Sequence, residues 1–387
     1  MLPKREIRRQ LTKSLKQPRY AFQVFYKRLK SYLTYQLYNG RSAYPETISL
    51  FLTYRCNLRC KMCGQWGGTG SSYRYTSELL KSQLSLDEIE RLLNDLATFK
   101  PNVTLFGGEP MLYKDWTEVV RMTKTRGMRC NIITNGVLLE AKAETILGAG
   151  IDEIIFSLDG PRDIHDEIRS APGTYDRAMA GFKKIAGLKM ERKVSRPLVN
   201  ISTAIFETNY KRLDEVIRSA EEMGVSSITF HHLIFIGKNT YSKHDELFQK
   251  NFSCSSTDWL GFLRDELPDI DPDILLYKIR EIKAIKTYLD VSFYPNLTDD
   301  EIWRYYTNFD FLPDSYRKRC LSPWMVAYVF PDGSVEPCLA LNYSIGNIKE
   351  SKFTDIWNGE AALKFRKMLK EKKYFPVCSR CTEFYRF

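Results

Sequence analysis

The chain has 387 residues, 43% hydrophobic and 27% charged, with a net charge of +11. That length allows two or three domains, and the composition excludes a disordered or fibrous chain. No apolar run reaches the roughly 18 residues of a membrane-spanning helix, the N-terminus is too charged for a secretory signal, and nine cysteines, an odd and partly clustered set, favour metal ligation in a reducing cytoplasm over a disulfide framework.

The positive charge sits at the start of the chain. Residues 1–33 hold ten Lys/Arg against one acid, Glu6, a net +9 that leaves +2 for the rest. Residues 1–45 read as a basic amphipathic arm, split near Pro18 into two helical pieces. Ile7, Leu11 and Leu15 mark the first; Phe22, Phe25, Leu29, Tyr32 and Leu33 carry an apolar stripe through the second. Two readings stand side by side. The arm contacts an anionic membrane surface or an acidic partner, or it docks on the body and solvates its outer face.

From residue 46 to 239 strands alternate with helices. Strands are predicted at 48–54, 102–107, 128–134, 152–159, 197–206 and 226–233, each a short apolar run rich in strand formers. Helices fall at 85–97, opened by a capping box of Ser85 and Glu88, and at 115–126, 140–147, 175–188 and 210–223. Six such units predict a parallel sheet with helices outside, either doubly wound or an incomplete barrel. Residues 240–312 form a connecting region of mixed helix and loop, with Asp271 and Asp273 as solvated turn residues. The segment 313–387 predicts a small α+β module: strands around a Pro-Asp-Gly turn, then a helix at 361–372.

Three cysteines, Cys56, Cys60 and Cys63, follow directly on the first strand. Loops at the C-terminal edge of a parallel sheet are where such folds bind ligands. A structural zinc would need a fourth ligand close by, and Cys130 lies inside a predicted strand as a buried, inert thiol. Three thiolates suit a 4Fe–4S cluster with one iron left open.

Cys-x3-Cys-x2-Cys in this place resembles the radical S-adenosylmethionine (SAM) enzymes. The resemblance continues in order through Gly107, Gly108, Glu109 and Pro110, then Thr134-Asn135-Gly136, then Ser157-Leu158-Asp159-Gly160 with His165, Asp166 and Arg169. It covers residues 50–235. One departure is Met62, where relatives often carry an aromatic. The resemblance implies the incomplete (β/α)6 TIM-like barrel. It implies a SAM-binding cluster on Cys56, Cys60 and Cys63, with SAM contacts from Gly107, Gly108, Glu109, Pro110, Asn135, Ser157, Asp159, Arg169 and Leu233. A reductase such as a flavodoxin or ferredoxin would supply the electron. The glycine-rich run 64–72 lacks the Gly-Lys-Ser/Thr ending of a phosphate loop and reads as a flexible loop, a candidate lid over SAM.

Cys320, Cys338, Cys378 and Cys381 remain in the C-terminal module. Four thiolates can close one metal centre. A zinc ribbon would show two close pairs, whereas here the first pair is split by 17 residues. The spacing is similar to the SPASM and twitch modules of radical SAM enzymes. It implies one auxiliary, fully ligated 4Fe–4S cluster and a net oxidation of substrate. Cys254 has no evident partner.

Candidates for the catalytic base are weaker. His231 and His232 end the sixth strand, and Glu207 follows the fifth. The resulting expectation is an enzyme that takes a hydrogen from a sugar or cyclitol, a lipid-linked molecule or a peptide. It would be cytoplasmic, with peripheral membrane contact through the arm and no nucleic acid. The rival is a non-enzymatic, metal-stabilised binding or electron-transfer protein, which leaves the missing fourth ligand at Cys56, Cys60 and Cys63 unexplained.

Overall fold

The computed structural model describes residues 18–387. Helix α1 (Pro18–Leu37) belongs to the arm; the piece carrying Ile7, Leu11 and Leu15 lies outside the described residues. The six predicted strands are β1 (Thr47–Phe51), β2 (Asn102–Phe106), β3 (Cys130–Thr134), β4 (Glu153–Ser157), β5 (Leu198–Ala204) and β6 (Ser227–His231). β3 ends on its predicted limit and the others stop short of theirs, which leaves the motif residues in loops. The intervening helices are α2 (Leu86–Leu96), α3 (Trp116–Thr125), α4 (Leu139–Ala149), α5 (Arg162–Arg169), α6 (Thr174–Glu191) and α7 (Leu213–Glu222). The capping box at α2 forms as read: Ser85 Oγ accepts from the Glu88 N–H, and Glu88 accepts from the Ser85 N–H at 2.7 Å.

The sheet is an incomplete barrel, and it is wider than six strands. The region 240–312 holds α8 (Lys238–Phe252), α9 (Pro272–Ala284), β7 (Asp290–Tyr294) and α10 (Asp299–Thr307). β7 pairs parallel with β6. It escaped prediction because most of its side chains are only half-buried, so no continuous apolar run marks it. Asp271 is not a free turn residue but the N-cap of α9, accepting from the N–H groups of Asp273 and Ile274. On the other edge, β8 (Val326–Val329) from the C-terminal module pairs parallel with β1. β9 (Ser334–Glu336) and β10 (Gly346–Asn347) extend that edge antiparallel. The order is β10-β9-β8-β1-β2-β3-β4-β5-β6-β7, with no pairing between the two ends.

The C-terminal tail bridges the open seam. Tyr294 on β7 donates to the Thr382 carbonyl at 2.7 Å, and Ser322, just before β8, donates to Glu383 at 2.6 Å. Arg380 pins the same corner. It is 1% exposed, donates to the Tyr305 carbonyl at 2.8 Å, and stacks over the Phe235 and Tyr305 rings at 4.1 Å. A buried guanidinium without a carboxylate is stable only because carbonyls and ring faces replace its water. Among the described residues, no helix is long and apolar enough to cross a membrane.

Candidate active site

The loops after β1 and β2 lie against each other, and two glycines make this possible. Gly108 N–H donates to the Thr53 carbonyl and Glu109 N–H to the Arg55 carbonyl, both at 2.9 Å. A Cβ on Gly107 would stand 2.5 Å from the Thr53 oxygen, and one on Gly108 would stand 2.2 Å from the Arg55 oxygen. Gly107 also holds φ +135°. The glycines therefore bring the cysteine loop onto the second loop; the approach they permit is backbone to backbone.

A cavity of about 230 Å³ opens at this C-terminal rim. Cys56, Cys60 and Cys63 line it, together with Gly107, Gly108, Asn135, Ser157, Asp159 and Arg169. Hydrogen-bond donors point at the sulfurs. The Leu58 N–H lies 3.5 Å from Cys56 Sγ, the Trp66 N–H 3.3 Å from Cys63 Sγ, and Arg169 Nη1 3.6 Å from Cys60 Sγ. Arg169 is fixed by its Asp159 ion pair at 2.5 Å and by donating to the Ser157 carbonyl at 2.9 Å. Asp159 in turn accepts from the Ala204 N–H, so the ends of β4 and β5 and the last turn of α5 are tied through one buried pair. Arg169 Nε and Gln65 Oε1 are buried at this cavity without a hydrogen-bond partner. Such orphaned groups are what a polar ligand would satisfy.

Glu109 stands behind the cavity wall. It is fully buried, and its carboxylate accepts from Thr134 Oγ1 and the Asn135 N–H at 2.9 Å and from the Met111 N–H at 3.3 Å. Burial pushes its carboxyl up to about 7 against these donors. Pro110 is buried too and opens a short 3-10 turn. Leu233 is not at this cavity: its backbone bonds to the hydroxyls of Tyr305 and Tyr306. Nor are the three candidate bases. His232 is buried, with Nδ1 3.0 Å from Tyr306 Oη, and desolvation lowers its pKa to about 3, so it stays neutral. His231 packs edge-on to Tyr294, and Glu207 is paired with Arg264.

The run 64–72 is folded rather than a flexible lid. Ser71 and Ser72 are buried, and their N–H groups donate to the carbonyls of Gly64 and Gln65 at 2.8 and 3.0 Å. A Cβ on Gly64 would meet the Phe262 ring at 2.2 Å, so this loop packs on residues 257–262. Behind it lies a second cavity of about 210 Å³, sharing Cys63, Gln65 and Phe106 with the first. Its walls are largely aromatic, from Phe51, Tyr54, Phe262 and Phe330, and Leu339 and Ala340 close it. A polar pair lines it beside Gln65 and Ser71: Tyr75 donates its hydroxyl to both Asp258 oxygens at 2.7 and 2.8 Å. Burial raises the Asp258 carboxyl above its ordinary range. Sequence reasoning missed this pair, since its members are 183 residues apart and neither sits in a motif.

Leu339 and Ala340 in the wall of the second cavity follow directly on Cys338, one of the four-cysteine set. Cys320 is buried and Cys338, Cys378 and Cys381 are partly buried, and desolvation raises all four thiols, Cys378 to about 12. Mutual repulsion of their thiolates adds to the rise at Cys320, Cys338 and Cys381, which marks them as one neighbourhood. The Phe375 N–H points at Cys378 Sγ at 3.4 Å. All nine cysteines are free.

Two family models match the chain. The radical SAM superfamily model covers residues 50–220, and the SPASM iron-sulfur cluster-binding domain covers residues 320–382. The chain belongs to the radical SAM superfamily. Its relatives include the AdoMet-dependent heme synthase of Methanosarcina barkeri, 28% identical over 358 residues, or 87% of this chain and 91% of the relative. The PqqA peptide cyclase of Granulibacter bethesdensis is 26% identical over 82% of this chain and 75% of its own. In fold the chain is similar to Streptococcus suis SuiB bound to S-adenosylmethionine, with TM-score 0.61 at 13% identity over 88% of this chain and 71% of that one. It is similar also to anSMEcpe with bound AdoMet, with TM-score 0.55 at 18% identity over 88% and 91%.

The cofactors of this radical SAM enzyme are SAM and 4Fe–4S clusters, with an auxiliary cluster in the SPASM module. The residues present fit them. Thiols whose pKa is raised by desolvation need a compensating cation to ionise, and iron would supply it. Backbone donors aimed at sulfur are the hydrogen bonds that tune such clusters. Among the described residues no group of His, Cys, Asp or Glu closes on a single metal ion.

Proposed function

We propose that Cys56, Cys60 and Cys63 hold the SAM-binding cluster, that Cys320, Cys338, Cys378 and Cys381 hold the auxiliary one, and that the aromatic cavity between them receives the group of the substrate that reacts. The observation that carries this reading is that the cavity lined by Cys56, Cys60 and Cys63 shares Cys63, Gln65 and Phe106 with the aromatic one, whose wall includes Leu339 and Ala340, next in sequence to Cys338. A cluster held by Cys56, Cys60 and Cys63 would supply the reducing electron for cleavage of bound SAM, the chemistry by which such enzymes take a hydrogen atom from substrate.

The chain's own residues bind and orient. Gly107, Gly108, Asn135 and Ser157 shape the SAM cavity, and Arg169 and Gln65 offer their unpartnered Nε and Oε1 as a donor and an acceptor for SAM. Asp159 acts on SAM only through Arg169, which it holds in place. Glu109 and Pro110 act from behind the wall by fixing the ends of β2 and β3. Phe51, Phe106 and Phe330 exclude water from the second cavity, whose about 210 Å³ falls below the roughly 300–1,000 Å³ of sites that enclose a drug-sized ligand. It therefore takes one group of a larger substrate, such as a side chain of a peptide, a ring substituent or a sugar unit. Asp258, with Tyr75, would accept a hydrogen bond from a hydroxyl or amine on that group. Leu339 and Ala340 in the cavity wall adjoin Cys338 in sequence, which supports net oxidation, since an auxiliary cluster held there would be the electron acceptor. A flavodoxin- or ferredoxin-type reductant completes the scheme.

Anaerobic incubation with SAM and dithionite tests this. The wild type yields 5′-deoxyadenosine, and changing Cys56, Cys60 and Cys63 to Ala abolishes it. Cleavage that survives the triple change would place the SAM site elsewhere.

A further inference from the structure

α1 inverts the usual arrangement of a surface helix, which buries its apolar stripe and shows charge to water. Phe22, Phe25, Tyr26, Leu29, Leu33 and Leu37 fall within roughly a third of the helix circumference at 3.6 residues per turn, and all of them face outward. Phe22 is 69% exposed, Phe25 63% and Leu37 73%. The opposite face is held to the body by Tyr35, buried edge-on against Trp324, and by polar groups. Arg28 pairs with Glu46 at 2.7 Å, Lys27 donates to the Lys100 carbonyl, Lys370 donates to the Tyr35 carbonyl at 2.6 Å, and Ser31 is buried. The body has therefore already taken the face it uses, and the apolar stripe is left over. Contiguous exposed apolar surface of this kind marks an interaction site.

Charge identifies the occupant. Lys30 borders the stripe, with its ammonium 4.4 Å over the Tyr26 ring. Beside the helix runs a cleft of about 570 Å³ lined by Lys27, Lys100, Lys124, Arg129 and Arg196; Lys124 and Arg196 pair with Asp152 and Arg129 with Glu153, so five cations there face two carboxylates. Upstream in sequence stand Lys4, Arg5, Arg8, Arg9, Lys13 and Lys16 against Glu6. We infer that this face docks on an anionic lipid bilayer, the stripe entering the boundary between headgroups and acyl chains while the flanking cations meet lipid phosphates. A second copy of the chain would cover the stripe only by bringing two strongly basic arms together, which repulsion opposes.

The placement has a consequence for the enzyme. Lys100, Arg129, Asp152 and Arg196 all precede strands, so the cleft lies at the N-terminal rim of the barrel. The cysteine cavity opens at the other rim. Docking therefore anchors the protein and leaves the active-site mouth toward water.

The test is co-flotation of the full chain with vesicles of phosphatidylcholine alone and of phosphatidylcholine mixed with phosphatidylglycerol. The protein floats with the mixed vesicles, not the neutral ones, and added salt weakens the association. A variant carrying F22S, F25S and L29S loses more than about tenfold in vesicle affinity while keeping its iron content and circular dichroism. The proposal fails if the wild type ignores anionic vesicles or if the variant floats equally well. It also fails if the wild type stays off vesicles and runs as a dimer that the variant splits, since the stripe is then a self-interface.

Discussion

Replacing Glu109 by Gln reports how the buried carboxylate behind the SAM cavity is used. Desolvation holds its carboxyl at about 7 in the folded chain against an ordinary 4.5, despite three donors. Between those values the native state binds the proton more tightly than the unfolded state does. Stability therefore falls as pH rises from about 4.5 and levels off above about 7. At about 1.4 kcal/mol per unit, ionised Glu109 costs about 3 kcal/mol at pH 8. Gln removes that cost and adds another. Its NH2 cannot accept, so the Asn135 N–H or the Thr134 and Met111 donors lose a partner, at about 1–3 kcal/mol. The variant is then less stable than wild type by about 1–3 kcal/mol at pH 5 and close to wild type, or above it, at pH 8. Denaturant unfolding of both proteins at several pH values, followed by circular dichroism under anaerobic conditions, measures this. A stability gap independent of pH would refute the raised carboxyl, and a gap that widens at high pH would refute its sign.

Other outcomes follow from the same geometry. Gly108→Ala puts a Cβ 2.2 Å from the Arg55 carbonyl; the cysteine loop must shift, and 5′-deoxyadenosine formation falls about 100-fold with circular dichroism unchanged. Arg380→Met takes the guanidinium donor from the Tyr305 and Asn308 carbonyls and removes contacts with the Phe235, Tyr305 and Phe311 rings, which costs about 2–4 kcal/mol by thermal or denaturant unfolding. Asp258→Asn leaves SAM cleavage in the absence of substrate unchanged, because Asp258 lines only the second cavity; a loss of that cleavage would place Asp258 in SAM binding instead.

The parts of this protein that are local in sequence were legible. Each of the six strands is an apolar run, and the capping box at Ser85 is a four-residue signal that forms as read. The motif residues Cys56, Gly107, Asn135, Ser157 and Arg169 meet at one rim because parallel strands present all their C-terminal loops on the same side. What depends on distant partners was hidden. The parallel pairing of β8 with β1 joins Thr47 to Val326, and no pattern in either strand announces it. The glycine run reads as flexible until Phe262 is seen packed on Gly64. His232 looks like a rim residue, but Tyr306 from α10 covers it, and α10 lay in the stretch whose elements were unassigned. The stripe on α1 was legible as a period; the direction it faces was not, because that depends on Glu46, Lys100 and Lys370 binding the other side.

The central claim is that the two cysteine sets hold two clusters with different openness, one able to take SAM and one closed. Iron counting joined to electron paramagnetic resonance of the reduced protein, with and without SAM, tests it most directly. The account predicts about eight irons in the wild type and about four after Cys56, Cys60 and Cys63 become Ala. SAM should shift one signal in the wild type and none in the variant. A variant that keeps all its iron, or whose remaining signal still responds to SAM, would contradict the account.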